Sequence, residues 1–165
     1  MEKSDLLIII DMQEGFRYKE SMSIIPKLKE TADKFRGKVV FSYFENKNGS
    51  KFEKDLKWKK FQNKDEQQIL REFTYLKAKK FKHNDYTILN KSLLDFISKK
   101  HFKTVYLSGI YTDVCIIKTA MDAFDNNISV KVIGNCCTSL HGLNNHKYAI
   151  DSLRHIIGKN NVVNF

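Results

Sequence analysis

The chain has 165 residues and a mass of 19.3 kDa, enough for one domain that buries roughly two-thirds of its unfolded surface without disulfides or a structural metal. Hydrophobic content of 42% with 12% aromatics excludes a disordered chain, and the longest apolar run, Leu6 to Ile10, is too short to cross a bilayer. The formal charge of +10 invites a nucleic-acid reading, but only four of the 29 basic residues are arginine, leaving 25 lysines. Arginine is the better bidentate reader of phosphates and bases, so this composition points to a solvated lysine-rich surface.

The N-terminal segment Met1 to Asp5 lacks the plan of a secretory signal. Cys115, Cys136 and Cys137 are an odd number without zinc-site spacing, so a reducing cytoplasm is the expected compartment. There is one proline, no internal repeat and no linker, so residues 1–165 read as a single domain.

In chain order the pattern alternates short strands and amphipathic helices. Leu6 to Asp11 reads as a strand apolar on both faces. Ile24, Ile25, Leu28, Ala32 and Phe35 have helical spacing, with Pro26 in the first turn. Val39 to Phe44 is a second strand, and Tyr75 to Ala78 a short third. Leu89 to Ile97 marks a helix and Lys103 to Gly109 a strand. Val114, Ile117, Met121 and Phe124 form one apolar stripe of the next helix. Val130 to Ile133 is a strand, Ala149 to Ile157 a helix, and Asn161 to Phe165 a terminal strand. Such alternation predicts an α/β fold with a doubly wound, Rossmann-like parallel sheet of six strands. In the order 3-2-1-4-5-6, strands 1 and 4 meet at the switch point, where the carboxyl ends open a ligand crevice. Asp11 and the segment Gly109 to Cys115 lie at those ends. Glu45 to Glu72 stands apart. It interleaves seven lysines between Lys47 and Lys64 with Phe52, Trp58 and Phe61, and its length suggests a lid or binding loop.

Three residue types could carry chemistry. Asp11 follows five apolar residues at the mouth of a buried strand, where an N-cap or turn role is equally open to it. Cys115 falls in the first turn of a helix that Thr112 or Asp113 can cap. The macrodipole there would lower a thiol pKa, and the free N–H groups could hold an oxyanion, although a lone cysteine is more often a small buried core residue. Lys77, Lys79, Lys80 and Lys82 crowd the end of the third strand, and spacing alone selects none of them.

Three blocks carry a family resemblance. Asp11-Met12-Gln13 followed by Phe16 resembles the D-x-Q-x-x-F opening of the isochorismatase-like cysteine hydrolases. Lys80 to Tyr86 resembles their K-x-x-x-S-x-F block, with Asn84 for Ser and Tyr86 for Phe. Gly109 to Cys115, continuing through Thr119-Ala120-Met121-Asp122-Ala123, is very close to their G-x-x-T-D-x-C-V-x-x-T-A-x-D-A signature. The resemblance implies a Cys-Asp-Lys triad of Cys115, Asp11 and Lys80. It also implies a cis Ile110–Tyr111 peptide and an oxyanion hole from the Tyr111 and Cys115 N–H groups. Gln13, Phe16, Trp58 and Tyr86 become candidate substrate contacts.

The departures narrow the activity. None of His83, His101, His141, His146 and His155 lies between Phe44 and Leu76, where a nicotinamidase-type metal site would fall, so no metal or other cofactor is expected. Cys115 favours a covalent amidase over isochorismatase-type vinyl-ether cleavage. The reading is a hydrolase of small amide, carbamoyl or ureido C–N bonds through a thioester. Its partners are a small-molecule substrate and, as is common in the family, other copies of the chain, with no membrane and nucleic acid disfavoured. Isochorismatase or nicotinamidase activity, a catalytically silent basic binding module and a thiol redox sensor are the rivals. Cys136 and Cys137 are expected to pack in the core, His146 to cap or surface the last helix, and Asp122 to serve internal hydrogen bonding.

Overall fold

The computed structural model describes residues 2–35 and 38–165. Its centre is a six-stranded, all-parallel sheet in the order β3-β2-β1-β4-β5-β6. The strands are β1 (Asp5–Ile10), β2 (Val39–Phe44), β3 (Lys79–His83), β4 (Thr104–Ile110), β5 (Ser129–Thr138) and β6 (Val162–Val163). The helices are α1 (Lys19–Ser23), α2 (Ile25–Lys34), α3 (Lys51–Lys54), α4 (Lys64–Gln67), α5 (Lys91–Lys99), α6 (Ile117–Asp125) and α7 (Leu143–Ile156).

Strand alternation sorts β1 between two cores. Leu6, Ile8 and Ile10 face a cluster containing Leu93, Ile97, Ala120 and Leu153, from α5, α6 and α7. Leu7 and Ile9 face the opposite cluster, which holds Leu28 and Ala32 of α2 together with Phe61, Leu70 and Phe73. A strand covered on both faces must be apolar throughout, which is why β1 reads as a continuous apolar run. Cys136 joins one cluster and Cys137 the other, so these neighbours are separate core thiols and not a pair.

Three elements differ from the sequence expectation. The third strand is Lys79–His83 and not Tyr75 to Ala78. It is an edge strand with Phe81 and His83 buried on one side and Lys80 and Lys82 exposed on the other, so its composition is mostly polar. The stripe on α6 is displaced as well. Thr119, Ala120 and Ala123 form its buried face, and Met121 and Phe124 are exposed. Small residues let that helix lie close to the sheet. Finally, neither Thr112 nor Asp113 caps a helix, because Thr112–Ile116 is a single π-turn running directly into α6.

β1 and β4 pair along their whole lengths, ending with Ile10 beside Gly109. Gly109 has φ +106, and a Cβ there would sit 2.1 Å from the Ile10 carbonyl oxygen. Only glycine fits this backbone approach. The Gly109→Ala protein is therefore expected to lose about 3 kcal/mol or more of stability, read as a lowered urea midpoint.

Candidate active site

Four consecutive strand ends converge on one buried carboxylate. Asp11 follows β1 directly and adopts φ 55, a left-handed conformation uncommon outside glycine. Its side chain is 1% exposed. Ser42 on β2 donates its hydroxyl to Asp11 Oδ1 at 3.0 Å. His83 at the end of β3 places Nε2 2.7 Å from the same oxygen. From beyond β4, Cys115 comes up beside Asp11, and the two line the same cavity. The Ile110–Tyr111 peptide is cis.

Lys80 is not part of this arrangement. It lies mid-strand on β3, level with Phe41, and its side chain is on the exposed side. His83, three residues on, is level with Phe44 and faces inward. Side chains three apart on a strand point to opposite faces, so only one of the two can reach Asp11. The sequence pattern ended the strand too early and so placed Lys80 at the sheet's carboxyl edge.

The thiol also departs from expectation. Burial, followed by the adjacent Asp11 charge and hydrogen bond, pushes the Cys115 pKa well above its ordinary value. The resting side chain is a protonated thiol, because burial and the charge of Asp11 together disfavour the thiolate.

A cavity of about 360 Å³ opens above Asp11 and Cys115. Its wall is aromatic: Phe16, Phe44, Phe52, Trp58, Tyr86 and Tyr111. The rings brace one another. Phe16 meets Tyr111 edge-on at 5.4 Å, and Phe52 meets Tyr86 in the same way at 5.0 Å. Phe16, Trp58 and Tyr86 thus stand where a substrate would touch them. Gln13 does not. It is fully buried, donating to the carbonyls of Phe44 and Gln67 and accepting from the Phe44 N–H, so it fastens the loop after β1 to the end of β2.

The segment after β2 supplies much of this wall. Phe52 and Trp58 turn inward and Phe61 is completely buried, whereas Lys47, Lys51, Lys54, Lys57, Lys59 and Lys64 are exposed. Aromatic and lysine side chains therefore share no single surface. His146 bonds to Thr112 at 2.8 Å and ties the π-turn to α7. His141 binds Asp113 at 2.7 Å and lies tilted against the Tyr111 ring. Asp122 pairs with Lys118 on α6.

A doubly wound parallel sheet with a buried acid and thiol at its switch point defines a Rossmann-like α/β protein with a candidate site at the carboxyl ends of its strands. The isochorismatase domain family model matches residues 5–160, and the chain belongs to that family. It is 24% identical over 144 residues to isochorismatase domain-containing protein 2 of Xenopus laevis, matching 84% of this chain and 62% of that longer protein. An isochorismatase-like hydrolase from Alkaliphilus metalliredigens superposes with a TM-score of 0.86 at 18% identity, covering 98% of this chain and 94% of the other. N-carbamoylsarcosine amidase of Thermoplasma acidophilum gives 0.82 at 17% identity, covering 97% and 94%. The pyrazinamidase of Pyrococcus horikoshii in complex with zinc gives 0.81 at 19%, covering 98% of each chain.

That zinc complex raises the question of a metal here. Among the described residues, no three His, Cys, Asp or Glu side chains come together in a metal-holding group. The imidazoles nearest the cavity, His83 and His141, are already committed to carboxylates. The residues present do not fit a metal ion, and no step below is routed through one.

The neutral thiol has a direct consequence. Iodoacetamide should alkylate Cys115 slowly at neutral pH, with the rate rising only above the ordinary thiol range of roughly 8.5. Mass spectrometry of the modified peptide across pH checks this, and rapid neutral alkylation would contradict the buried, acid-paired thiol.

Proposed function

We propose that this protein is a cysteine hydrolase that cleaves a small, uncharged amide-type C–N bond through a thioester. The observation that carries the reading is the Cys115 thiol beside the buried Asp11 carboxylate, both lining one aromatic cavity.

The chemistry follows from the proton inventory. A thiol with a raised pKa attacks only if its proton leaves as the S–C bond forms. Asp11 lies beside it and takes that proton. The carbonyl oxygen becomes an oxyanion, for which the backbone N–H groups of Tyr111 and Cys115 are the assigned donors, one such donor contributing about 3 kcal/mol. The C–N bond then breaks as Asp11 returns its proton to the departing nitrogen. A water next loses a proton to Asp11 and attacks the thioester carbonyl. The S–C bond breaks, the acid product leaves, and the thiol recovers its proton.

The cavity selects the substrate class. Its charged lining groups are the acidic Asp11 and Asp85, and no lysine or arginine is among its described lining residues. A carboxylate-bearing substrate would meet aromatic faces and negative charge. An uncharged acyl group, above all a flat one, would stack on Trp58 and Phe16. The ureido acids suggested by the wider family are thereby disfavoured.

The test is a panel of small aryl and alkyl carboxamides set against ureido and carbamoyl acids, with released ammonia or amine as the readout. Turnover is expected for neutral amides, at about 100-fold higher kcat/KM than for their carboxylated counterparts, and Cys115→Ala is expected to abolish it. Retained turnover in Cys115→Ala would end the thioester mechanism, and a preference for the acids would end the substrate assignment.

A further inference from the structure

The structure assigns His83 the role of a positioning cation: a buried imidazolium that shares a single proton with Asp11 and keeps it oriented and ionised toward Cys115. This rests on the reading of Asp11 as the base, and it goes beyond that reading by naming the group that makes Asp11 fit for the task.

The argument is one of donors and acceptors. His83 Nδ1 lies 2.8 Å from the Asp85 carbonyl oxygen. A carbonyl can only accept, so Nδ1 carries a hydrogen. Nε2 lies 2.7 Å from Asp11 Oδ1. Two bare lone pairs at that distance would repel, so a second hydrogen lies between them. The pair is then either imidazolium and carboxylate or neutral imidazole and carboxylic acid. The Ser42 contact favours the first. Its hydroxyl also donates to Oδ1, which suits an ionised oxygen receiving two hydrogens. Both side chains are 1% exposed, so water offers neither an alternative partner.

Every neighbouring element agrees with a positive ring. Asp11 comes from the end of β1, and Asp85 follows in the loop after β3. Asp113 and the thiol of Cys115 lie on the π-turn. Glu45, beyond β2, donates its N–H to the His83 carbonyl, and its side chain pairs with Lys82. Phe44 presents its ring near His83 at 5.5 Å. Burial opposes the charge on His83 most strongly, but Asp11 and Asp85 together outweigh it and the imidazole pKa is raised.

A lysine would hold its charge into strongly alkaline solution, whereas an imidazolium releases its proton sooner. Once His83 is neutral, the hydrogen between Nε2 and Oδ1 is gone and Asp11 loses its orientation. A raised folded-state pKa also means that the stability this pair contributes is present at low pH and is lost as pH rises through that pKa. Activity should fall in the same window.

The primary experiment is ¹⁵N NMR of histidine-labelled wild-type protein across pH, with His83 assigned by comparison with His83→Gln. Both ring nitrogens of His83 are expected to carry hydrogen at pH 7. A Nε2 without hydrogen at that pH overturns the proposal, whether or not any substrate has been found. The second experiment follows Cys115 alkylation by iodoacetamide and turnover of a neutral amide in wild type, His83→Gln and His83→Lys. His83→Gln is expected to lose about 100-fold in kcat with a smaller change in KM. His83→Lys should recover part of that loss and move the alkaline limb upward by more than about one pH unit. A wild-type kcat and pH profile in His83→Gln would remove the role. Should neither variant fold, the NMR result on the wild type still decides. Failure of every amide, with His83 doubly protonated, would overturn the hydrolase reading and leave this pair standing.

Discussion

A carboxylate that is 1% exposed cannot remain ionised unless its charge is answered by hydrogen bonds and a cation. That requirement at Asp11 organises the carboxyl edge of the sheet. In spatial order β3, β2, β1 and β4 are neighbours, and each contributes one group at or just beyond its end: His83, Ser42, Asp11 and Cys115. No two of these are close in sequence. The parallel register brings them together, since Phe44 sits level with His83 and Ile10 with both Ser42 and Gly109. Removing one partner from such a buried charge commonly costs about 3–5 kcal/mol, so site and fold are stabilised by the same contacts.

The second condition is dryness. Charge in a water-filled cleft is screened, whereas the same charge against aromatic rings acts at close to full strength. Phe16, Phe44, Phe52 and Trp58 supply those rings, three of them from the end of β2 and the segment that follows it. Gln13 holds that segment against the loop after β1 through three hydrogen bonds. Its effect on chemistry is therefore indirect: it keeps the wall standing over Asp11 without touching what the wall encloses.

Much of this was legible in the sequence because burial leaves a compositional trace. β1 and β4 are covered on both faces, so their apolar runs announced them, and the residues that follow each, Asp11 and the segment to Cys115, came with them. β3 left no such trace. At the sheet edge, with lysines on its exposed side, it resembles a polar loop. Its displacement from Tyr75–Ala78 to Lys79–His83 is small in residues and decisive in chemistry, because it moves the strand's end from the lysine cluster to a histidine. The alternation of Phe81 and His83 with Lys80 and Lys82 was the available signal. A period-2 reading of that stretch places the imidazole inward and the amines outward. The thiol's pKa was illegible for a different reason. A helix start favours a thiolate in isolation, and burial in the folded chain, with Asp11 beside it, reverses the sign.

That reversal bears on how the site can work. A preformed thiolate beside an ionised Asp11 would place two negative charges in a medium that weakly screens either. The proposed arrangement instead places one negative charge on Asp11 and one positive charge on His83, and leaves the thiol neutral. In the proposed attack the thiol proton moves to Asp11 and the negative charge travels to the substrate oxygen, while the imidazolium stays within the same buried cluster. The number of charges is conserved through the step, and only their positions change. This explains why 25 lysines can crowd the surface without one entering the cavity. In the proposed mechanism the cation is held inside, on a ring whose two nitrogens lie against the Asp85 carbonyl and the Asp11 carboxylate.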